Sequence, residues 1–131
     1  MYIHLKIIGV LLTLLAFLHL GFPKYFDWKK ELSSLSLINK QMMKVHTFFI
    51  AFVVFLIGIL CITATGEIID TGLGKKIAFG LGCFWFVRLF FQFFVYSTKL
   101  WKGKKFETTM HVLFTFFWMY LSIVFFIIYF N

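Results

Sequence analysis

The sequence is short of acidic residues: it has 5 of them against 13 lysines and arginines, which gives a net charge of +8. It also has only 1 proline and 2 cysteines. Cys61 and Cys83 lack the C-x-x-C spacing of a redox dithiol, so we expect buried free thiols, with a disulfide as the alternative. The chain contains no H-E-x-x-H, G-x-S-x-G or phosphate-loop motif, so the sequence indicates no particular class of enzyme.

Charged residues of either sign are scarce. They make up 14% of the chain, hydrophobic residues make up 62%, and the mean hydropathy is +0.95. This composition excludes an ordinary soluble domain. The positive charge does not indicate nucleic-acid binding, because the basic residues flank apolar runs and no base-reading motif is visible. Contact with the lipid bilayer and its anionic headgroups explains those residues better.

Four apolar runs dominate the chain. Each is long enough to cross a hydrocarbon core of about 30 Å, which takes about 20 apolar residues. They cover roughly 3–22, 44–65, 75–98 and 108–130. The first run resembles a signal peptide, but no A-x-A-like cleavage site follows it, so we expect it to remain as a helix. The sequence therefore predicts one all-α domain over 1–131, an up-down bundle of four transmembrane helices.

Two stretches outside the apolar cores are informative. In 24–35, aromatic and leucine residues gather on one side of a helix and lysines on the other, which predicts an interfacial amphipathic segment between the first two spans. Asp27 is a candidate N-cap for that segment, and Ser36 offers a second helix start. Within the first span, Gly9, Thr13 and Ala16 form a small-residue stripe, which favours packing within the bundle over a dimer contact.

The distribution of lysines predicts the orientation. The connections after the first and third spans hold nine lysines and the opposite side holds three. By the positive-inside rule the lysine-rich side is cytoplasmic, so both termini lie outside the inner (cytoplasmic) membrane of a bacterium. The nine lysines are Lys24, Lys29, Lys30, Lys40, Lys44, Lys99, Lys102, Lys104 and Lys105.

Arg88 is the only charged residue within the interior of any apolar run. An ionised side chain near the bilayer centre costs about 3 kcal/mol on insertion scales, so it normally faces the bundle and has a partner. Gln92 and Tyr96 follow at i+4 and i+8, on the same face of a continuous helix. No carboxylate lies within an apolar run, so the sequence supplies no intramembrane counter-ion for Arg88.

Histidines add to this candidate site. With antiparallel spans, one histidine from each of the other three helices lies within about 6 Å of the cytoplasmic boundary, with Gln92 about 9 Å and Arg88 about 15 Å deep. Glu107, one turn before the last histidine, is a candidate acceptor for its second ring proton. Trp118, which belongs to a polar stripe on the fourth span, is a further candidate ligand-binding residue. The three candidate metal or haem ligands are His19, His46 and His111.

Three ligands fit these residues. A b-type haem would use two of the histidines as iron ligands and Arg88 as a propionate partner. A divalent metal would use three imidazoles, although no intramembrane carboxylate would serve as a base. A lipid or quinone headgroup would be held by Arg88, Gln92, Tyr96 and a histidine. The alternative function is a non-catalytic structural or accessory subunit of a membrane complex or homo-oligomer, in which these residues only tie the helices together.

Overall fold

The structure, a computed structural model, describes residues 1–131, and every regular element in it is helical. Four helices are long and apolar enough to cross a membrane, which confirms the predicted all-α class and the four candidate spans. They are α1 (Tyr2–His19), α4 (Leu37–Thr63), α6 (Gly72–Phe94) and α7 (Lys105–Phe130). The remaining elements are the short helices α2 (Phe22–Tyr25), α3 (Trp28–Glu31) and α5 (Thr65–Asp70) and a 3₁₀ turn at Thr98–Leu100.

Apolar side chains cover the outer surfaces of the long helices. Leu14, Phe94 and Phe116 are all more than half exposed. Exposed apolar area on this scale is an aggregation hazard in water, but it is the expected surface of helices solvated by lipid acyl chains.

The two predicted starts in the first connection have different outcomes. The Ser36 hydroxyl accepts a hydrogen bond from the Asn39 N–H at 3.5 Å, and α4 begins at the next residue, as predicted. The predicted cap at Asp27 is wrong, because its side chain makes no capping bond. A capping residue normally has an extended backbone, whereas Asp27 has φ 50° and ψ 51°, in the left-handed region.

Helix α6 ends earlier than the sequence predicts. Its last residue is Phe94, and the backbone N–H groups of Val95 and Tyr96 both donate to the Phe91 carbonyl. Arg88 therefore lies about 9 Å from the end of its helix, given 1.5 Å per residue, whereas a helix that continued to residue 98 would put it about 15 Å from that end. Tyr96 lies beyond the helix, so it does not continue the helical face of Arg88.

The chain forms two compact units. The first unit is Ile3–Thr65, and the second comprises Met1–Tyr2 and Gly66–Asn131. In the first unit α1 and α4 run antiparallel, with Gly9 beside Ile62 at one end and the Phe17 ring 6.0 Å from the Phe55 ring farther along.

Two glycines allow the close approach of α1 and α4. A Cβ atom on Gly58 would lie 2.6 Å from the Thr13 hydroxyl and 2.9 Å from the Gly9 carbonyl oxygen, closer than real contacts allow. Only glycine therefore fits at this crossing. The small-residue stripe predicted on α1 is used for packing within the chain.

In the second unit α6 and α7 form an antiparallel hairpin. The Phe79 ring lies 4.6 Å from the Tyr129 ring near one end, and Gln92 contacts His111 near the other. The connection before α6 contains the short helix α5. A Cβ atom on Gly74 would overlap backbone atoms of α5, so the first turn of α6 packs directly on that helix.

Candidate ligand site around Arg88

The Arg88 guanidinium has three neutral partners. Its Nη1 donates a hydrogen bond to Gln92 Oε1 at 3.3 Å. Its central carbon lies 4.9 Å from the centre of the Trp118 ring and 5.4 Å from that of the Tyr96 ring. These contacts stabilise a cation, but none of the three groups carries a negative charge.

The amide of Gln92 connects Arg88 to α7. Because a guanidinium only donates hydrogen bonds, the amide oxygen must face Arg88 and the amide nitrogen must face away from it. That nitrogen lies 3.2 Å from both the Nδ1 atom and the backbone carbonyl oxygen of His111. Gln92 is 7% exposed, so this bridge is buried between the two helices.

This arrangement sets the proton position on His111. The Gln92 amide nitrogen is a donor, so the Nδ1 atom that faces it is an acceptor. A neutral imidazole with an acceptor at Nδ1 carries its proton at Nε2. The remaining ring nitrogen of His111 is therefore a hydrogen-bond donor, like the remaining N–H groups of Arg88.

Trp101 covers one face of His111, a contact that the sequence did not indicate. The two rings are stacked 4.6 Å apart at an angle of 21°. The Thr108 hydroxyl donates to the Trp101 carbonyl at 2.6 Å, which fixes the connection against the start of α7. Because Trp101 lies in an irregular connection, no helical periodicity could have paired it with His111.

The Trp118 ring is the apolar surface on which the Arg88 guanidinium packs. It is stacked on Trp85 with ring centres 5.1 Å apart and an angle of 5°, and both rings are buried. Trp85 was also missed, although its place three residues before Arg88 puts both on one helical face. The indole N–H groups of Trp85 and Trp118 and the Ser122 hydroxyl are buried without a hydrogen-bond partner.

The other predicted ligands belong to the first unit. His19 Nδ1 lies 2.8 Å from the Leu15 carbonyl oxygen, and its ring contacts Phe22. Because a carbonyl only accepts, His19 carries a proton on Nδ1, and the lone pair of the neutral ring is on Nε2. His46 is exposed on α4.

The structure contains no group of three or more His, Cys, Asp or Glu side chains arranged to hold a metal ion. Glu107 lies in the first turn of α7 and is exposed. The Nδ1 atom of His111 is paired with Gln92, and Glu107 remains a predicted partner only. Cys61 and Cys83 are free thiols, and Cys61 is completely buried.

The Arg88 site thus combines one cation with neutral hydrogen-bond donors, which is the chemistry of an anion receptor. It includes no carboxylate or thiolate that would act as a base or nucleophile. Comparisons of this chain with protein-family models, with curated proteins and with solved structures gave no match.

Proposed function

We propose that this chain is an integral protein of the bacterial inner membrane whose α6–α7 hairpin binds the acidic headgroup of an amphiphile at Arg88. In this proposal the four long helices form an up-down bundle, both termini lie outside, and 24–35 lies in the cytoplasmic interface. The bundle provides the scaffold, and the hairpin provides the binding site.

The observation that carries the proposal is the set of neutral partners around Arg88. A charge inside a membrane span is costly unless it is paired or hydrated. Gln92, Tyr96 and Trp118 together supply one hydrogen bond and two ring faces, which leaves the charge of the guanidinium uncompensated. An anionic ligand oxygen would supply the missing negative charge. It would also accept hydrogen bonds from the remaining N–H groups of Arg88.

The proton position on His111 supports an anion rather than a metal ion or haem iron. An imidazole binds a metal through a lone pair. Nδ1 of His111 lies 3.2 Å from the Gln92 amide nitrogen, which only donates, so the proton of the neutral ring is assigned to Nε2. That N–H is suited to donate to an oxygen of the same ligand that Arg88 neutralises.

The depth of Arg88 supports an amphiphile. The last residue of α6 lies six positions after Arg88, a distance of about 9 Å along the axis. A guanidinium at this depth reaches the headgroup region by extending its side chain toward the interface. The acyl tail of such a ligand would then lie along the exposed phenylalanines of α6, such as Phe90 and Phe94.

Analysis of co-purified molecules tests this function. Wild-type protein is purified from membranes and extracted with organic solvent, and the extract is examined by mass spectrometry. We expect Arg88→Gln to carry one acidic amphiphile per chain fewer than the wild type and the Lys76→Gln variant. Lys76 is an exposed cation at the other end of α6, so it is a matched control for the change in charge. Equal recovery from both variants would contradict the proposal.

The same samples test the other ligands that the sequence suggested. A Soret absorbance band would show haem, and one divalent metal per chain, lost in His46→Ala, would show a metal site. Either result would replace the anionic headgroup as the ligand.

The alternative is a structural or accessory subunit of a membrane complex or homo-oligomer. The contact that favours it is Arg88 on Trp118, because this contact joins α6 to α7 without any ligand. In that case Arg88→Gln would lower the stability of the purified protein, and the amount of bound amphiphile would be the same in every sample.

A further inference from the structure

A second candidate site lies in the first unit, between the end of α1 and the beginning of α4. It is a pocket of about 110 Å³. This volume is below the range of about 300 to 1,000 Å³ of pockets for drug-sized ligands, so it suits a headgroup rather than a whole molecule. Its lining residues are His19, Leu20, Pro23, Trp28, Lys44, Thr47, Phe48 and Ala51.

Three polar side chains line this pocket, and their hydrogen-bonding roles differ. Lys44 has an ammonium group, which only donates. The Thr47 hydroxyl already donates to the Met43 carbonyl at 2.8 Å, so its oxygen has only acceptor capacity left. His19 has its Nδ1 proton on the Leu15 carbonyl, so Nε2 of the neutral ring is also an acceptor.

A ligand that matches these roles needs an anion for Lys44 and hydroxyl groups that donate to Thr47 and His19. Both occur in one headgroup when a phosphate diester carries glycerol hydroxyls. A metal ion matches poorly, because the Lys44 ammonium would repel it. A plain phosphate matches in part, because it satisfies Lys44 and leaves the two acceptors without donors.

We propose that this pocket binds a glycerol phosphate group, with Lys44 on the phosphate and Thr47 and His19 accepting from the hydroxyls. A membrane lipid such as phosphatidylglycerol and a soluble glycerol phosphate ester share this chemistry. Trp28, which is buried, and Phe48 form the apolar walls against which the glycerol carbons of such a group would pack.

The charge around the pocket favours the same ligand. The connection that forms one side of it carries Lys24, Lys29 and Lys30 within seven residues of the chain, all of them exposed. Basic clusters next to a span attract anionic lipid, by about 1 kcal/mol per residue near the surface. These lysines raise the local concentration of an anionic headgroup, and the pocket selects among headgroups.

Native mass spectrometry of protein released from nanodiscs tests this inference. Discs of phosphatidylcholine are doped with phosphatidylglycerol or with phosphatidylethanol, a diester of equal charge without headgroup hydroxyls. Because Arg88 would also hold an anionic lipid, the measurement uses Arg88→Gln, and we expect this variant to retain one phosphatidylglycerol and less phosphatidylethanol. Thr47→Val should reduce the preference between the two lipids by about twofold to tenfold, the effect of one hydrogen bond.

Variants separate this pocket from the rest of the basic surface and from Arg88. Added to Arg88→Gln, Lys44→Gln should abolish retention, whereas Lys30→Gln, which removes a charge outside the pocket, should lower it only about fivefold. Displacement by soluble glycerol phosphate would support the pocket and identify a soluble ester as its ligand. Equal retention of all three lipids, or equal losses in Lys44→Gln and Lys30→Gln, would overturn the inference.

Discussion

The Arg88 guanidinium lies over the ring of Trp118, with its central carbon 4.9 Å from the ring centre. Such a contact is worth about 0.5 to 2 kcal/mol, depending on how far it is desolvated. It joins α6 to α7, and it holds the guanidinium beside the Gln92 amide. The contact fixes the position of the charge without neutralising it, and the proposed anionic ligand would supply the missing negative charge.

Gln92 is the polar bridge of the hairpin, so its removal should destabilise α6 and α7. Gln92→Leu keeps a similar volume but leaves the Arg88 N–H without its acceptor. We expect a loss of about 1 to 3 kcal/mol in the free energy of unfolding, the cost of an unsatisfied buried polar group. Denaturant unfolding in detergent micelles measures this. Gln41→Leu, at an exposed position of α4, is the control and should change stability by less than about 0.5 kcal/mol.

The histidines of the two candidate sites, His19 and His111, should be opposite tautomers. The Leu15 carbonyl requires a proton on Nδ1 of His19, and the Gln92 amide requires an acceptor at Nδ1 of His111. Long-range ¹⁵N–¹H correlation spectra of the neutral rings should therefore show the proton on Nδ1 for His19 and on Nε2 for His111. Gln92→Leu should release the preference of His111 only. The same tautomer at both residues in the wild type would contradict the assigned hydrogen bonds.

The glycine crossing of α1 and α4 should not tolerate alanine. A methyl group on Gly58 would meet the Gly9 carbonyl oxygen at 2.9 Å, so the helices must separate. We expect Gly58→Ala to cost about 1 to 3 kcal/mol, as overpacking does elsewhere. Gly80→Ala is the control, because nothing lies within 4 Å of its added methyl group. That substitution should be neutral or stabilise α6 by about 0.5 to 1 kcal/mol. Equal effects of the two substitutions on thermal unfolding would refute this packing.

The lysine distribution predicts the orientation of the chain, which reporter fusions measure. Alkaline phosphatase fused after Asn131 should be active, since it requires the oxidising side of the membrane, and green fluorescent protein at the same place should be dark. The reverse pattern would place both lysine-rich connections outside. It would also remove the interior surface potential that the proposed headgroup site uses.

The helices could be predicted because hydropathy and length determine them. Four runs of about 20 apolar residues leave no alternative to helix in lipid, since every backbone group must be satisfied within its own segment. The cap at Ser36 was also predictable, because a serine cap needs only a hydrogen bond to a backbone N–H three residues along the chain. The end of α6 was not, because the apolar character of the sequence continues through Val95 and Tyr96 while the backbone leaves the helix at Phe94.

The site was predictable only along a single helix. The i to i+4 spacing of Arg88 and Gln92 indicated their contact, and the structure shows it. Tyr96 also reaches Arg88, but from a turn rather than from the predicted helical face. The contacts between segments, of Trp101 with His111 and of Trp118 with Trp85, depend on how the connection folds and how the helices align. Periodicity within one segment carries no information about either.

The most direct test of the central claim is a fluorescence titration in detergent micelles. The quencher is a fatty acid brominated near its carboxyl group, and the control ligand is the methyl ester of the same acid. The reporters are the tryptophans of the hairpin, among them Trp118 beneath Arg88, and Trp28 is replaced by phenylalanine so that the second pocket gives no signal. We predict saturable quenching by the acid and none above background by the ester, with the acid effect lost in Arg88→Gln and kept in Lys76→Gln. Equal quenching by acid and ester, or quenching unchanged in Arg88→Gln, would show that Arg88 binds no anionic headgroup.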